Sequence, residues 1–330
     1  MPKESSLKAC VYSVYGSPDV VTVVEVPTPE PKEDEVLIRV QAATVSTADW
    51  RIRSATFPTG FKTMGKLVFG WSKPRNKILG GEFTGVTVKV GARVSNFKVG
   101  DQVIGFSARM GAHAEFKVMK ASAALVLRPV SMSIEQAAAF SFGGMTALHY
   151  LANIGRLQPG ENILVIGAGG SVGSAAVQLA KHFGAKVTAV CSVAKSATVK
   201  ALGADQTIDY KTEDFTQSGV KYDLILDTIG STSFPLCRYV LTDNGRLLMV
   251  AAGANEFSWM IWTGLKRGKK ALGGVTPEKA TDLQKLIDLY QSGAYRPLID
   301  RVYPMSDIVN AHRHVDNGHK SGSVVIKMVD

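Results

Sequence analysis

Residues 162–173 read Asn-Ile-Leu-Val-Ile-Gly-Ala-Gly-Gly-Ser-Val-Gly, an apolar run that breaks into four glycines within seven residues. The run has the length and aliphatic content of a buried strand. Beyond it Val172, Ala175, Ala176, Leu179 and Phe183 recur at helical spacing, which predicts a helix over Ser171–Phe183. A glycine turn between a strand and a helix lets the backbone approach an anion that rests on the helix's free amides and positive dipole end. In the window Ala168-Gly-Gly-Ser-Val-Gly, the fingerprint G-x-G-x-x-G becomes Ala168, Gly170 and Gly173, with alanine in the first glycine's place. Gly170 gives room for a pyrophosphate, and Gly173 lets the helix pack close on the strand. Ala168, Gly169, Gly170, Ser171, Val172 and Gly173 are therefore candidate contacts of a dinucleotide cofactor.

Working outward, further strands are predicted at 186–192, 206–210, 222–230, 245–253 and 269–275, alternating with helix-length stretches. With 162–168 they make six, and repeated strand-helix-strand units imply a doubly wound parallel sheet. The first 125 or so residues differ in texture. Runs such as Val36-Leu-Ile-Arg-Val, Phe83-Thr-Gly-Val-Thr-Val-Lys-Val and Asp101-Gln-Val-Ile-Gly-Phe are short and separated by glycine, proline and charge, as in a small antiparallel β domain. The tail offers a helix over Pro277–Ser292, another from Ser306 and a strand over Ser323–Met328, and we expect it to return to the first domain.

The second strand of the sheet decides which cofactor is expected. An NAD site needs an acid at its end to bind the ribose 2′-hydroxyl. Here that position holds Cys191 and Ser192, with Lys195 three residues on. A hydroxyl and an ammonium suit a 2′-phosphate, so NADPH is the expected cofactor, bound by Ser192, Lys195 and the hydroxyl of Tyr210 at the end of the third strand.

Composition narrows the remaining classes. The chain has 330 residues, a net charge of +10, and only three cysteines, Cys10, Cys191 and Cys237, never in a Cys-x-x-Cys pair. Neither a disulfide framework nor a thiolate zinc cluster follows from that. The opening Met-Pro-Lys-Glu-Ser-Ser-Leu-Lys lacks the apolar core of an export signal, and the window 137–152 is too interrupted to span a bilayer. A cytoplasmic protein is expected.

Taken together, Val45-Ser-Thr-Ala-Asp-Trp, Ile78-Leu-Gly-Gly-Glu-Phe-Thr-Gly, Phe97-Lys-Val-Gly-Asp-Gln-Val-Ile-Gly, Gly143-Gly-Met-Thr-Ala, the 167–184 stretch and Leu202-Gly-Ala-Asp resemble the medium-chain dehydrogenase/reductase superfamily. Within it, the chain resembles the zinc-free quinone oxidoreductase and enone reductase branch. The resemblance implies an α/β protein with a GroES-like β domain (1–125 and 280–330), a Rossmann domain with a doubly wound parallel six-stranded sheet (126–279), and an active site in the cleft. It also implies a homodimer paired through the sixth strand. Zinc-dependent relatives carry a cysteine where this chain has Ser46 and a histidine where it has Gly81, so no metal is expected. His312, His314 and His319 make a poor substitute, since two of them, His312 and His314, differ by two residues and would diverge on a helix.

Without a Lewis acid, hydride transfer favours an acceptor that spreads charge onto an enolate or phenolate oxygen: a quinone, or the conjugated double bond of an α,β-unsaturated carbonyl. Ser46 and Asp49 from the first domain and Thr146 at the junction are the candidate catalytic residues, Thr146 also lying near the cofactor in similar reductases. No side chain stands out as the proton donor, which leaves solvent. Between Asp49 and Glu82 lie seven basic residues, Arg51, Arg53, Lys62, Lys66, Lys73, Arg75 and Lys77, interleaved with Phe57, Phe61, Phe69 and Trp71. Three readings of that stretch stand open: a lid over an acidic substrate, a patch that touches anionic membrane, and a solvated loop. A second basic run, Lys266-Arg-Gly-Lys-Lys, leads into the sixth strand. The competing function is a non-catalytic NADPH-binding regulatory or RNA-binding protein, against which stands the lack of a compact basic-aromatic RNA motif.

Overall fold

The computed structural model describes residues 6–328, so residues 1–5 of the stretch read for an export signal lie outside it, as do the last two residues of the chain. Seven strands come first: β1 (Ser6–Tyr12), β2 (Val21–Pro27), β3 (Glu35–Val45), β4 (Glu82–Val90), β5 (Gln102–Phe106), β6 (Phe116–Lys120) and β7 (Leu125–Leu127). Helices α1 (Thr47–Ser54) and α2 (Lys62–Phe69) are inserted between β3 and β4. β1 and β2 form an antiparallel pair, while β3, β4, β5 and β7 run antiparallel in a second sheet, with β6 paired to β3. β3 is buried at Val36–Ile38, Val40 and Ala42–Val45. Continuous burial of that kind marks a strand covered on both faces.

Helices α3 (Ile134–Ala138) and α4 (Ser141–Leu148) lead into the parallel sheet. Its strands are β8 (Asn162–Ile166), β9 (Lys186–Cys191), β10 (Gln206–Asp209), β11 (Tyr222–Asp227), β12 (Leu241–Met249) and β13 (Lys270–Leu272), with α5 (Ser171–His182), α6 (Val193–Ala201), α7 (Phe234–Cys237) and α8 (Ala254–Gly264) between them. The spatial order is β10-β9-β8-β11-β12-β13, all pairs parallel. The order reverses between β8 and β11, which is where ligands of such sheets bind. Ile163, Leu164 and Val165 of β8 are fully buried, each contributing about 1.5–3 kcal/mol of burial.

The strands fall where the sequence places them, but several end early. β8 stops at Ile166 because Gly167 turns left-handed, at φ 78°, and β11 stops at Asp227 ahead of Gly230, at φ 77°. The fifth strand, read as 245–253, spans Leu241–Met249, because Gly253 already caps α8. That helix fills the helix-length stretch expected between the fifth and sixth strands.

The tail holds α9 (Ala280–Gln291), β14 (Ile299–Pro304), α10 (Ile308–Asp316) and β15 (Ser323–Lys327). The helix read from Pro277 starts at Ala280, since Lys279 is still extended at φ −114° and ψ 128°. β15 pairs antiparallel with β3, and β14 runs parallel to β15, so these two strands complete the first sheet. α9 instead packs Leu283, Leu286, Ile287 and Tyr290 into the core shared with α4 and α5. The architecture is therefore a GroES-like β domain joined to a Rossmann doubly wound sheet.

Candidate active site

Gly167, not Ala168, carries the tight turn: a Cβ there would lie 2.5 Å from the hydroxyl of Thr228. Ala168 is buried, its amide donating to Val190. Alanine is tolerated in the fingerprint's first place because the left-handed residue precedes it. Gly173 behaves as expected, since a Cβ would come within 2.2 Å of the Gly167 carbonyl oxygen. At Gly170 a Cβ would meet only that same oxygen, at 3.4 Å, so the turn is open on the side a ligand approaches. Gly170 is the N-cap of α5, and the first-turn amides from Ser171 to Gly173 have no partner inside the helix. This cradle fits a pyrophosphate.

The C-terminal segment closes on this turn. The Gly322 amide donates to the Gly169 carbonyl at 2.8 Å, and the Ser323 hydroxyl donates to Ser171 Oγ at 2.9 Å. Lys195 Nζ donates to the Lys320 carbonyl at 2.8 Å, its stem lying over Gly169. Lys320 Nζ donates in turn to the Gly322 carbonyl at 2.6 Å. Burial pulls the Lys320 ammonium down to about 8, with Glu82 opposing that pull and Lys195 adding to it. Lys195 is lowered in the same way by burial. Two ammonium groups thus stand beside the glycine turn and bond to carbonyls, not to carboxylates. Ser192 is the N-cap of α6 but makes no side-chain capping bond. Tyr210, just beyond β10, is 55% exposed. Lys320 and Ser323 were missed by the sequence reading.

Thr146 is buried on α4, one turn beyond Gly143, where a Cβ would lie 2.6 Å from Ser171 Oγ. At Gly143 α4 thus crosses close on the start of α5, one turn before Thr146. Ser46 caps α1 and forms a capping box with Asp49. Asp49 Oδ2 accepts from the Ser46 amide at 2.8 Å and hydroxyl at 2.6 Å, and Oδ1 accepts from the Gly80 amide at 2.7 Å. Asp49 is fully buried with both oxygens engaged, an arrangement that fixes the 78–81 turn.

Next to it Glu82 accepts from Thr44 Oγ1 at 2.6 Å and from the Phe142 amide at 2.7 Å, tying β3 and β4 to the start of α4. Burial pushes the Glu82 carboxyl up to about 7. His113 lies under Gly80, its Nε2 2.8 Å from the Thr44 carbonyl oxygen. His312 is buried against His113 with ring centroids 5.8 Å apart, whereas His314 bonds Asp300 at 2.6 Å. Among the described residues, no three His, Cys, Asp or Glu side chains converge as a metal site would need.

A family model described as an alcohol dehydrogenase GroES-like domain matches residues 32–145, and one described as a zinc-binding dehydrogenase matches 202–326. The second match includes neither Ser46 nor Gly81. Over 97% of this chain and 98% of the relative, the sequence is 31% identical to a chloroplast envelope quinone oxidoreductase homolog of Arabidopsis thaliana. An NADPH-dependent alkenal/one oxidoreductase of the same plant is 30% identical over 99% of this chain and 80% of its own. The quinone oxidoreductase structure from Coxiella burnetii superposes with a TM-score of 0.87 at 27% identity, covering 98% of this chain and all of that one. Fold and cleft together define a two-domain oxidoreductase that uses a nicotinamide cofactor. The chain belongs to the medium-chain dehydrogenase/reductase superfamily, in its zinc-free quinone oxidoreductase and enone reductase branch.

Proposed function

We propose that the protein transfers hydride from NADPH to a quinone or to the conjugated double bond of an α,β-unsaturated carbonyl compound, without a metal. The observation that carries this reading is the chemistry of the cleft. It is basic where the cofactor's phosphates would lie, at Lys195 and Lys320, and it offers Ser46 and Gly81 where zinc enzymes hold metal ligands. When bound, NADPH supplies the hydride. The glycine turn and the α5 amides would hold the pyrophosphate, Ser192, Lys195 and Tyr210 would receive the 2′-phosphate, and Thr146 would lie near the nicotinamide ribose.

Ser46 and Asp49 position the substrate side of the cleft. The Ser46 hydroxyl donates to Asp49 and accepts from the Asp49 amide, so it holds that wall in place. A conjugated acceptor needs no alkoxide stabilised, and its enolate takes a proton from solvent. Similarity to a quinone oxidoreductase homolog and to an alkenal/one oxidoreductase supports this acceptor class. The free edge of β13 is the surface through which two copies would pair.

The test is NADPH and NADH consumption by chelator-treated protein against quinones, enones and acrylate-type acids, with products identified by mass. Metal-independent turnover with NADPH preferred is expected, giving hydroquinones or saturated carbonyls. Activity restored only by added zinc would sink the proposal, and tight NADPH binding without turnover of any acceptor would replace it with a binding-protein function.

A further inference from the structure

The chain's net charge of +10 is concentrated in two segments. Residues 50–81 hold seven basic residues and no acid, and residues 257–277 hold four, Lys266, Arg267, Lys269 and Lys270, again with no acid. Arg53 is buried against Asp316, which leaves ten of those charges, as many as the net excess of the whole chain. Although about 200 residues apart in sequence, the two segments touch. The Ala254 amide donates to the Thr59 carbonyl at 2.9 Å, and the rings of Phe61 and Phe257 meet edge to face with centroids 5.4 Å apart. Helices α2 and α8 therefore join at their N-terminal ends.

Each helix is apolar on more sides than the fold uses. Phe57 and Phe69 stack at 5.7 Å and close over Gly65, anchoring α2 from within. On its other side Met64, Leu67, Val68 and Trp71 are each more than half exposed. On α8, Trp259 packs on Phe234, while Phe257, Ile261, Trp262 and Leu265 face solvent, Leu265 at 86% exposure. Lys66 lies over the Trp71 ring, and Lys266 lies 3.8 Å from the centroid of Trp262. A lid on an acidic substrate would turn its apolar side inward. This surface turns it outward, with basic side chains around it, and the one acid on the two helices, Glu256, accepts from the Gly253 amide at the start of α8.

We infer that α2 and α8 together form a docking surface for an anionic lipid bilayer, their exposed apolar side chains entering the headgroup region while the surrounding lysines and arginines meet lipid phosphates. The charge complementarity selects lipid of net negative charge. Among the described residues no helix is long and apolar enough to cross a membrane, so the association is peripheral. The inference does not depend on which acceptor the enzyme reduces.

The test is flotation of the full chain with vesicles of phosphatidylcholine alone and of phosphatidylcholine with phosphatidylglycerol, using a double variant, Leu67→Glu with Leu265→Glu. Both positions are exposed, so the fold should survive, which equal melting temperatures would verify. A charge-matched control is Lys98→Glu on the exposed loop before β5, which also lowers the net charge by two. Binding to the anionic vesicles only is expected, weakening as salt rises, with about a tenfold or greater loss in the double variant and little change in the control. An equal loss in the control would reduce the effect to bulk charge and overturn the inference. So would a double variant that binds vesicles normally but changes molar mass in light scattering, which would make the face a contact between copies. Retention of a single-stranded RNA without vesicle binding would overturn it as well.

Discussion

Lys195 donates its ammonium to the carbonyl oxygen of Lys320 at 2.8 Å, joining the helix after β9 to the segment before β15 across the domain boundary. The bond spends one of three donors and keeps the charge beside the glycine turn. Lys195→Ala should therefore weaken NADPH far more than NADH, by about 10- to 100-fold, the value of one or two charge-assisted bonds to a phosphate. Fluorescence titration with both cofactors measures it. Equal losses for the two would assign Lys195 to the shared pyrophosphate, and an unchanged NADPH affinity would remove it from the site.

The glycines of the turn divide by what surrounds them. A Cβ at Gly173 meets backbone at 2.2 and 2.7 Å, which nothing can move, so Gly173→Ala should cost several kcal/mol and lower the melting temperature or prevent folding. A Cβ at Gly170 meets one oxygen at 3.4 Å, and its backbone is at φ −85° and ψ 177°, open to any residue. Gly170→Ala should therefore melt like the wild type while binding either cofactor at least about tenfold more weakly, because the methyl stands where phosphate approaches. Calorimetry paired with titration separates the two, and a destabilised Gly170→Ala would contradict the open turn.

Much of the Rossmann half was legible because its signals are local. Strand, glycine turn and helix lie within some twenty residues, and the helix spacing from Val172 to Phe183 reports a buried face directly. What the sequence hid is what arrives from far away. Lys320 and Ser323 stand some 150 residues beyond the glycine turn, just before and at the start of the last expected strand, and only the pairing of β15 with β3 brings them there. Helix α8 fills an expected helix-length stretch, but its bounds were hidden for another reason. Its apolar residues are spread over both faces, so Ala254–Gly264 shows no clean stripe. Asp49 was visible as a candidate, but its third donor was not, because the Gly80 amide comes from 31 residues away.

Glu82 gives the protein a pH-dependent stability whose sign follows from burial. Its carboxyl is pushed up to about 7 in the folded protein from an ordinary 4.5. Between those values the folded form keeps a proton that the unfolded chain has released. The contribution is present in full below pH 4.5 and lost as pH rises to about 7, an effect on the order of 3 kcal/mol. Glu82→Gln keeps an oxygen for the Phe142 amide and an amino group for Thr44, and it does not titrate. Denaturant unfolding at several pH values should show wild type losing stability relative to Glu82→Gln across that window, with the difference constant above it. Parallel curves throughout would mean that Glu82 is ionised in the folded protein.

Arg53 tests how the tail is held. The side chain is fully buried on α1, donates to the Gly16 carbonyl at 2.8 Å, and grips both oxygens of Asp316 on α10 at 2.6 and 2.5 Å. Asp316 is itself only 24% exposed, so removing the cation strands a carboxylate with little water. Arg53→Met should cost about 3–5 kcal/mol, and Arg53→Met with Asp316→Leu should recover much of it, because replacing both members of a buried pair removes the stranded charge. The loss should reach the cofactor site too. α10 leads directly into the segment that carries Lys320 and Ser323, so a loosened tail should weaken NADPH binding in the single variant and restore it in the double. If the single variant melts as wild type does, the pair holds nothing together; if it melts early but binds NADPH normally, Lys320 and Ser323 take no part in holding the cofactor.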